Sequence, residues 1–437
     1  MNNLIRHFRH AFGVALFLPL IAAAAQSYTF KRGINISHWL SQNVEALPFA
    51  APWFDEEDVQ WIARQGFDHI RLPVDFRLCL DEEGKVDPSK LKPIWQAIGW
   101  AKAEGLGLVL DAHFLPGADF NNEAEGGDRR VYTDPALIEH VATVWRDMAA
   151  QFKDEGPWLR FEILNEPVAD ENAHLNPFQH RMLAEIRKSN PTRIVYLTSN
   201  KWGQFANVPD VVLPDDPNVA LTIHNYEPII FTHQRASWAG LKDTLPPVTF
   251  PGEVPDVTGH TFPNHPPYGK TGDKLTVEQI QESFAKVDAW VQKTRPGLEV
   301  YVGEFGVYRP VDRQSKLNWL GAIVSECEKR GWGWAVWDYQ GGFAVRNQDG
   351  TGTAVLEGVL GHKGKEVIRA SGLRITEAQR AQSRAANPAS LWTLCLLCYS
   401  DLRRLFARRF DRCALVDHET SVDADELDVV RIELLTQ

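Results

Sequence analysis

The chain has 437 residues, of which 44% are hydrophobic and 24% are charged, a composition typical of a globular protein with a sizeable core. Its formal charge of −11 argues against nucleic acid as the main partner, because binding to polyphosphate requires a basic surface, but suits a neutral polymer. Five cysteines, an odd number, give no pattern of a disulfide framework.

The first 25 residues predict a secretory signal peptide. A basic start around Arg6 precedes an apolar run over 11–21 and a small-residue cleavage region over 22–25. The apolar run is too short to indicate a membrane span. We therefore expect a mature chain that begins near Gln26 and is secreted or periplasmic.

Short apolar runs then alternate with helical patterns up to about residue 370. Several runs are apolar almost throughout, as strands buried on both faces are. The predicted strands are 32–37, 69–74, 106–113, 160–167, 193–199, 219–226, 299–307 and 333–340. The predicted helices are 55–65, 88–104, 134–153, 177–188, 276–294 and 313–330. This α/β alternation predicts a (β/α)8 TIM barrel. An open doubly wound sheet is disfavoured because no Gly-x-Gly-x-x-Gly turn follows the first strand.

Two segments fall outside the repeat. The connection 227–274 after the sixth strand is long and rich in proline, and a loop at that end of a barrel strand favours a wall of the active cleft. The tail differs in composition from the rest and receives no chemical role. We therefore divide the chain into a signal peptide (1–25), a single catalytic domain (26–375) and a C-terminal extension (376–437).

Polar side chains occupy the ends of most predicted strands. They are Arg71, His113, Asn165, Glu166, His224, Tyr226, Glu304 and Trp337. On a parallel barrel these ends meet at one rim, where catalytic residues of this fold lie. Two carboxyl groups, Glu166 and Glu304, are brought to that rim from separate strands. Such a pair is what glycoside hydrolysis requires, one as proton donor and one as nucleophile or base.

The motifs RLPV, DAH, NEP, HNY, GEFG and WDY resemble those of glycoside hydrolase family 5, the cellulase-like group with glutamates on strands four and seven. The resemblance extends over about 31–340 and includes the eight site residues above. It implies a hydrolase that retains anomeric configuration, with Glu166 as acid/base and Glu304 as nucleophile. It also implies that Asn165 binds the sugar 2-hydroxyl.

The resemblance assigns supporting roles to the remaining five residues of the set. Arg71 and Tyr226 would hold Glu304 ionised and oriented, because a guanidinium and a hydroxyl donor favour the charged form of a carboxyl group. His224 would contact Glu166, whose pKa should be raised by burial and by the Glu304 carboxylate. His113 would line the sugar site, and Trp337 would form its stacking floor.

Further aromatic and acidic residues have less specific interpretations. Trp39, Phe114, Trp202 and Trp238 lie beyond strand ends or in the long loop and are candidate sugar platforms, of which we select Trp39 and Trp202. Glu162 is expected to be a structural partner inside the barrel, and Asp111 to orient a neighbour. No set of residues has the spacing of a metal cluster, and we expect no cofactor.

The sequence therefore favours a secreted, monomeric endo-β-1,4-glucanase acting on cellulose-like or mixed-linkage β-glucan. A β-mannanase or an exo-acting β-1,3-glucanase of the same family would share the catalytic residues and remains open. A barrel that binds polysaccharide without cleaving it is a third alternative, although such proteins usually lose one carboxylate and this chain has both.

Overall fold

The computed structural model describes residues 28–42, 54–120, 128–241, 244–258, 260 and 269–361. The predicted signal peptide (1–25) and the predicted extension (376–437) lie outside the described residues. The described residues all belong to one compact unit of the chain. No helix in the described ranges is both long and apolar enough to cross a lipid bilayer.

Eight parallel strands close into a barrel, which confirms the predicted TIM-barrel fold. They are β1 (Arg32–Asn35), β2 (His69–Asp75), β3 (Gly107–Phe114), β4 (Leu159–Glu162), β5 (Val195–Thr198), β6 (Val219–Asn225), β9 (Val300–Phe305) and β10 (Gly333–Val336). Each strand pairs with its neighbours in the chain order of the barrel, and β1 closes the ring against β10. A two-stranded antiparallel ribbon, β7 (Gly252–Glu253) with β8 (Lys274–Leu275), lies in the connection after β6.

Helices cover the outside of the barrel. The longer ones are α1 (Glu56–Gln65), α2 (Lys92–Ala103), α3 (Pro135–Gln151), α4 (Asn172–Arg187), α7 (Val277–Thr294) and α8 (Arg313–Arg330). The shorter ones are α5 (Asn200–Gly203), α6 (Ile229–Thr232) and α9 (Ala354–Leu360). Helix α3 begins as predicted, with the Asp134 side chain accepting two backbone N–H groups, and α8 ends at a left-handed Gly331.

Several predicted boundaries differ from the structure, and the largest differences are at the start of α4 and the end of β4. Helix α4 begins at Asn172 rather than at residue 177, and Pro177 lies inside it. Strand β4 ends at Glu162, although the sequence predicts a strand to residue 167. The apolar run continues to Leu164, but Glu166 has a φ of 39°, which no strand residue adopts.

The barrel interior changes from apolar to charged along the strands. Aromatic rings, including those of Tyr196 and Tyr301, which stack 5.0 Å apart, form a cluster with Phe30. Arg71 and Glu162 occupy the layer above, further toward the carboxyl ends of β2 and β4. Because inward positions alternate along a strand, this layer places charged groups directly beneath the predicted site residues.

Candidate active site

Glu166 and Glu304 meet at the carboxyl end of the barrel. Glu304 lies in β9, whereas Glu166 lies on the turn after β4, in a left-handed conformation that is uncommon for a residue with a side chain. A carboxylate oxygen of each and a ring nitrogen of His224 all lie within 4.8 Å of one another. The structure therefore brings the two predicted carboxyl groups into one site, from the ends of the fourth and seventh barrel strands, β4 and β9.

Arg71 is the charged group that holds Glu304. Its Nη1 donates a hydrogen bond to Glu304 Oε1 at 2.6 Å and another to Asn35 Oδ1 at 2.9 Å. Its Nε and Nη2 donate to the two oxygens of Glu162 at 2.7 and 2.9 Å. With the guanidinium fully buried and bonded on both edges, its orientation is fixed by the barrel strands.

The buried layer contains more carboxyl groups than cations. Asp111 adds a third carboxylate to Arg71, with Oδ2 3.0 Å from Nη2. Burial raises the pKa of Asp111 to about 7, and it also raises the pKa of Glu162 to about 7, against the attraction of Arg71. One guanidinium cannot compensate three buried negative charges, so this layer binds protons above the usual range of carboxyl groups.

The two site carboxyl groups have different surroundings. Burial raises the pKa of Glu304, but the Arg71 cation and a 3.0 Å hydrogen bond from Tyr226 Oη oppose that rise. Burial raises the pKa of Glu166 well above its ordinary value, and the nearby Glu304 charge raises it further. Glu304 therefore ionises first and leaves the proton on Glu166.

His224 and Tyr226 each contact one of the two glutamates. His224 Nδ1 lies 2.9 Å from Glu166 Oε1, and burial lowers the pKa of His224 well below its usual range, so the ring is neutral. Burial raises the pKa of Tyr226, which keeps its hydroxyl proton available to Glu304. The predicted pairings of these side chains are present in the structure.

Polar atoms without partners surround the carboxyl pair. Asn165 uses its Oδ1 to accept from Arg71 at 2.9 Å, while its buried Nδ2 has no hydrogen-bond partner among the described residues. The Nε2 atom of His113 is also buried without a partner within that part of the chain. Buried polar atoms are normally paired, so these atoms indicate the position of a polar ligand.

Trp337 forms a flat apolar surface beside these groups. Its ring is parallel to that of His113, with centroids 5.7 Å apart and planes 6° apart. The segment after Glu304 passes close to it, because a Cβ on Gly306 would lie 2.4 Å from the Trp337 carbonyl oxygen. The glycine in GEFG thus permits the two strand ends to approach each other.

The two selected tryptophans lie in different environments. Trp39, on the segment after β1, is only 9% exposed and packs against Phe54 and Trp100. Trp202 is half-buried beside the Glu166 turn, where its backbone N–H donates to Pro167 O at 3.1 Å. Of the two, Trp202 is the one whose backbone contacts the turn that carries Glu166.

Sequence reasoning missed Asn35, which supports Arg71 from the first strand. Its Nδ2 also donates to Gly303 O at 2.9 Å, so it joins β1 to β9. The signal was present, because Asn35 is the one strongly polar side chain in the apolar run GINI. A single asparagine in a strand has many alternative explanations, so that signal was weak.

Among the described residues, Glu166, Glu304 and His224 form a group of side chains of the types that bind metal ions. Its donor atoms already have protein partners: His224 Nδ1 contacts Glu166, and both Glu304 oxygens accept hydrogen bonds. These contacts fit proton transfer between the groups better than coordination of an ion.

Comparisons with known proteins agree with this geometry. The family model described as cellulase (glycosyl hydrolase family 5) matches residues 34–342. Endoglucanase C of Acetivibrio thermocellus is 29% identical over 330 residues, covering 74% of this chain and 94% of that protein. Cellodextrinase A of Ruminococcus flavefaciens is 29% identical over 306 residues, covering 69% of this chain and 82% of that protein.

Solved structures of related proteins superpose on the barrel of this chain. Cellulose synthase subunit Z from Clostridioides difficile superposes with a TM-score of 0.62 at 26% identity, covering 76% of this chain and 100% of that one. Cel5A of Thermotoga maritima, in complex with cellobiose, superposes with a TM-score of 0.61 at 26% identity, covering 76% and 97%.

We predict that Asp111 and Glu162 stabilise the folded protein at pH 5 and that this contribution to the free energy of unfolding is lost as the pH rises to about 7. With pKa values of about 7 in the folded protein, Asp111 and Glu162 keep protons there that the unfolded chain, whose carboxyl groups ionise near pH ~4, has lost. Urea unfolding at pH 5, 6 and 7 compares the wild type with Glu162→Gln, because the buried neutral histidines His113 and His224 add a rise in stability over the same pH range in both proteins. The free energy of unfolding of the variant should rise more, or fall less, with pH than that of the wild type, and equal slopes would contradict the assignment.

Proposed function

Because the chain belongs to the cellulase family, glycosyl hydrolase family 5, we propose that it is an endo-β-1,4-glucanase with Glu304 as nucleophile and Glu166 as acid/base. Family membership confirms the resemblance drawn from the sequence motifs, and the protein is a glycoside hydrolase. The other site residues bind or orient the substrate and these two groups.

The observation that carries the mechanism is the approach of the two carboxyl groups. Oxygens of Glu166 and Glu304 lie within 4.8 Å of each other. Retaining glycosidases have carboxyl groups about 5 Å apart, whereas inverting enzymes leave about 6.5–9.5 Å for a water molecule. The short separation supports a double displacement with retention.

In the first step, Glu304 attacks the anomeric carbon while Glu166 donates its proton to the departing glycosidic oxygen. The C–O bond to the leaving sugar breaks as the bond to Glu304 forms, giving a glycosyl-enzyme. Arg71 and Tyr226 each donate to one oxygen of Glu304, which orients the carboxylate before attack. His224 orients Glu166 through its 2.9 Å contact.

In the second step, Glu166 acts as the base. Ester formation removes the negative charge of Glu304, so the pKa of Glu166 falls, and its carboxylate accepts a proton from water as that water attacks the anomeric carbon. The C–O bond to Glu304 breaks, and both glutamates return to their starting protonation states. The same two side chains thus complete both steps without a cofactor.

The choice of β-1,4-glucan rests on relatives. Endoglucanase C and cellodextrinase A carry names that refer to glucan chains. A second candidate is β-mannan, because Thermotoga maritima Cel5A, here 25% identical, has also been solved in complex with mannotriose. The catalytic geometry would serve either polymer, so the sugar depends on the residues around the cleft.

We place the catalytic domain within 26–375 and the protein outside the cytoplasm. The family match over 34–342 lies inside that range. A polymeric substrate outside the cell agrees with the signal peptide predicted over residues 1–25. Both carboxyl groups and their partners are in place, which favours catalysis over the alternative of a barrel that only binds polysaccharide.

The site continues outward as a row of aromatic rings. Tyr226 contacts Phe343 with centroids 5.9 Å apart, Phe343 contacts Tyr308 at 5.4 Å, and Tyr308 meets the edge of Trp238 at 4.9 Å. Trp238 is 63% exposed, on the proline-rich connection after β6. Exposed aromatic faces suit sugar rings, and this row would extend the cleft for a longer chain.

The proposed substrate is tested by reducing-sugar release from carboxymethylcellulose, barley β-glucan, galactomannan, xyloglucan and laminarin. We expect the fastest release from the first two. Fastest release from galactomannan would replace the proposed sugar and leave the catalytic assignment standing. No release from any substrate by a folded protein would contradict hydrolysis and favour the binding-only alternative.

Glu304→Gln should reduce kcat on every substrate by at least about 10⁴-fold, because an amide cannot form the glycosyl-enzyme. Glutamine keeps the length of the side chain, so circular dichroism should show an unchanged fold. Retention of most activity by this variant would contradict the assignment of Glu304 as nucleophile.

Glu166→Gln should slow the cleavage of poor leaving groups by about 10²- to 10⁴-fold, because these need a proton. The first step with activated aryl cellobiosides should be largely spared, since their leaving groups depart without protonation. Pre-steady-state release of the aryl group measures that step. An equal loss on both substrate types would count against the proton-donor role.

Trp238→Ala should lower the ratio of kcat/KM for barley β-glucan to kcat/KM for an aryl cellobioside by about 3- to 10-fold, because only the long chain reaches this ring. The matched control is Trp95→Ala, which removes a 37% exposed tryptophan on the outer helix α2. If neither variant changes this ratio relative to the wild type, Trp238 does not contact the long substrate.

A further inference from the structure

Asp111 is a buried carboxyl group that the reaction steps above do not use. It lies in β3, and its Oδ2 is 2.8 Å from Nδ1 of His113 and 3.0 Å from Nη2 of Arg71. Asp111 therefore contacts both a residue of the sugar site and the guanidinium that holds Glu304. Glu162 also contacts Arg71, but of Asp111 and Glu162 only Asp111 contacts His113.

The contact with Asp111 determines which nitrogen of His113 carries the proton. Burial lowers the pKa of His113 to about 3, so the ring is neutral and has one N–H. The same Oδ2 faces Arg71 Nη2, which can only donate, whereas Oδ1 has no partner among the described residues and is where a proton on Asp111 would lie. Oδ2 thus acts as an acceptor toward Nδ1 at 2.8 Å, which favours the N–H on Nδ1. Nε2 then carries a lone pair, and it is the buried atom left without a partner within the described residues.

Aromatic rings enclose His113. Trp337 lies parallel to it at 5.7 Å, while Phe120 meets it edge-on with centroids 5.2 Å apart. The ring is thus enclosed, and only the Nε2 edge lacks a polar partner. A group that donates a hydrogen bond, such as a sugar hydroxyl, is the chemical complement of that edge.

We propose that Asp111 is a positioning residue, which holds His113 in the Nδ1–H form so that Nε2 accepts a hydrogen bond from one hydroxyl of the bound sugar. The inference rests on the proposed function for the identity of the ligand. The form of the His113 ring, however, is a property of the free protein and is measured without substrate.

The first test is the protonation of His113 in the wild-type protein. Long-range ¹H–¹⁵N correlation spectra of the imidazole rings at neutral pH should show a protonated Nδ1 and an unprotonated Nε2 for His113. Glu162→Gln should leave this signature unchanged, because Glu162 contacts Arg71 and not His113. A protonated Nε2 in the wild-type spectrum overturns the proposal, whatever any variant shows.

Two substitutions at the same position separate hydrogen bonding from charge. Asp111→Asn keeps an oxygen that accepts from His113 and removes the charge, so the Nδ1–H form should persist. Asp111→Leu has a similar shape and removes the acceptor, so the proton should be free to move to Nε2. Loss of the Nδ1–H form in the leucine variant, with its retention in the asparagine variant, is the expected result.

Kinetics then test whether Nε2 accepts from the substrate. The substrates are aryl cellobiosides in which one hydroxyl group of the sugar that carries the cleaved bond is replaced by fluorine. The hydroxyl group at the carbon next to the anomeric carbon is left in place, because fluorine there slows the reaction by itself. One position should cost the wild-type enzyme about 10-fold in kcat/KM, because fluorine cannot donate. Asp111→Asn and Glu162→Gln should retain that penalty, and Asp111→Leu should lose it.

The outcomes distinguish this inference from the proposed function. If the leucine variant keeps the full penalty, Asp111 does not act through His113, although the enzyme remains a glucanase. If the parent glycoside is not hydrolysed by the wild-type protein, the proposed substrate is wrong. The spectra of His113 still decide whether Asp111 sets its protonation.

Discussion

Burial of one guanidinium among three carboxyl groups is the interaction on which the rest of the site depends. Arg71 is fully buried in the barrel and contacts Asp111, Glu162 and Glu304, each from a different strand. Removing the guanidinium would leave these carboxyl groups buried without a cation, which costs several kcal/mol in proteins, about 3–5. The position of Glu304, the proposed nucleophile, therefore depends on a cation that the barrel strands hold in place.

That layer also explains how two glutamates in one cleft have different proton affinities. Glu304 has the guanidinium and the Tyr226 hydroxyl as partners, whereas Glu166 faces the neutral ring of His224. Burial acts on both carboxyl groups in the same direction, so the difference comes from these donors. The separation of roles is thus a consequence of which strand end each glutamate occupies.

Above the charged layer, the site consists of neutral rings and unpaired polar atoms. Trp337 and His113 lie parallel, and the aromatic row from Tyr226 leads out to the exposed Trp238. A neutral sugar polymer complements such a surface, because it offers C–H faces for rings and hydroxyl groups for single polar atoms. The net charge of −11 does not oppose such a ligand.

The fold and the grouping of the strand-end residues could be predicted from the sequence alone, because strand periodicity and barrel topology fix the rim on which those ends meet. Glu166, Glu304 and Arg71 accordingly lie together in the structure. The tertiary structure was needed to show that Asp111 and Glu162 share Arg71, that Asn35 supports it, and that Trp39 is buried against Phe54 and Trp100. These facts depend on distances between strands that are far apart in the chain. Periodicity predicts the direction in which a side chain points, but its contacts are known only once the barrel is closed.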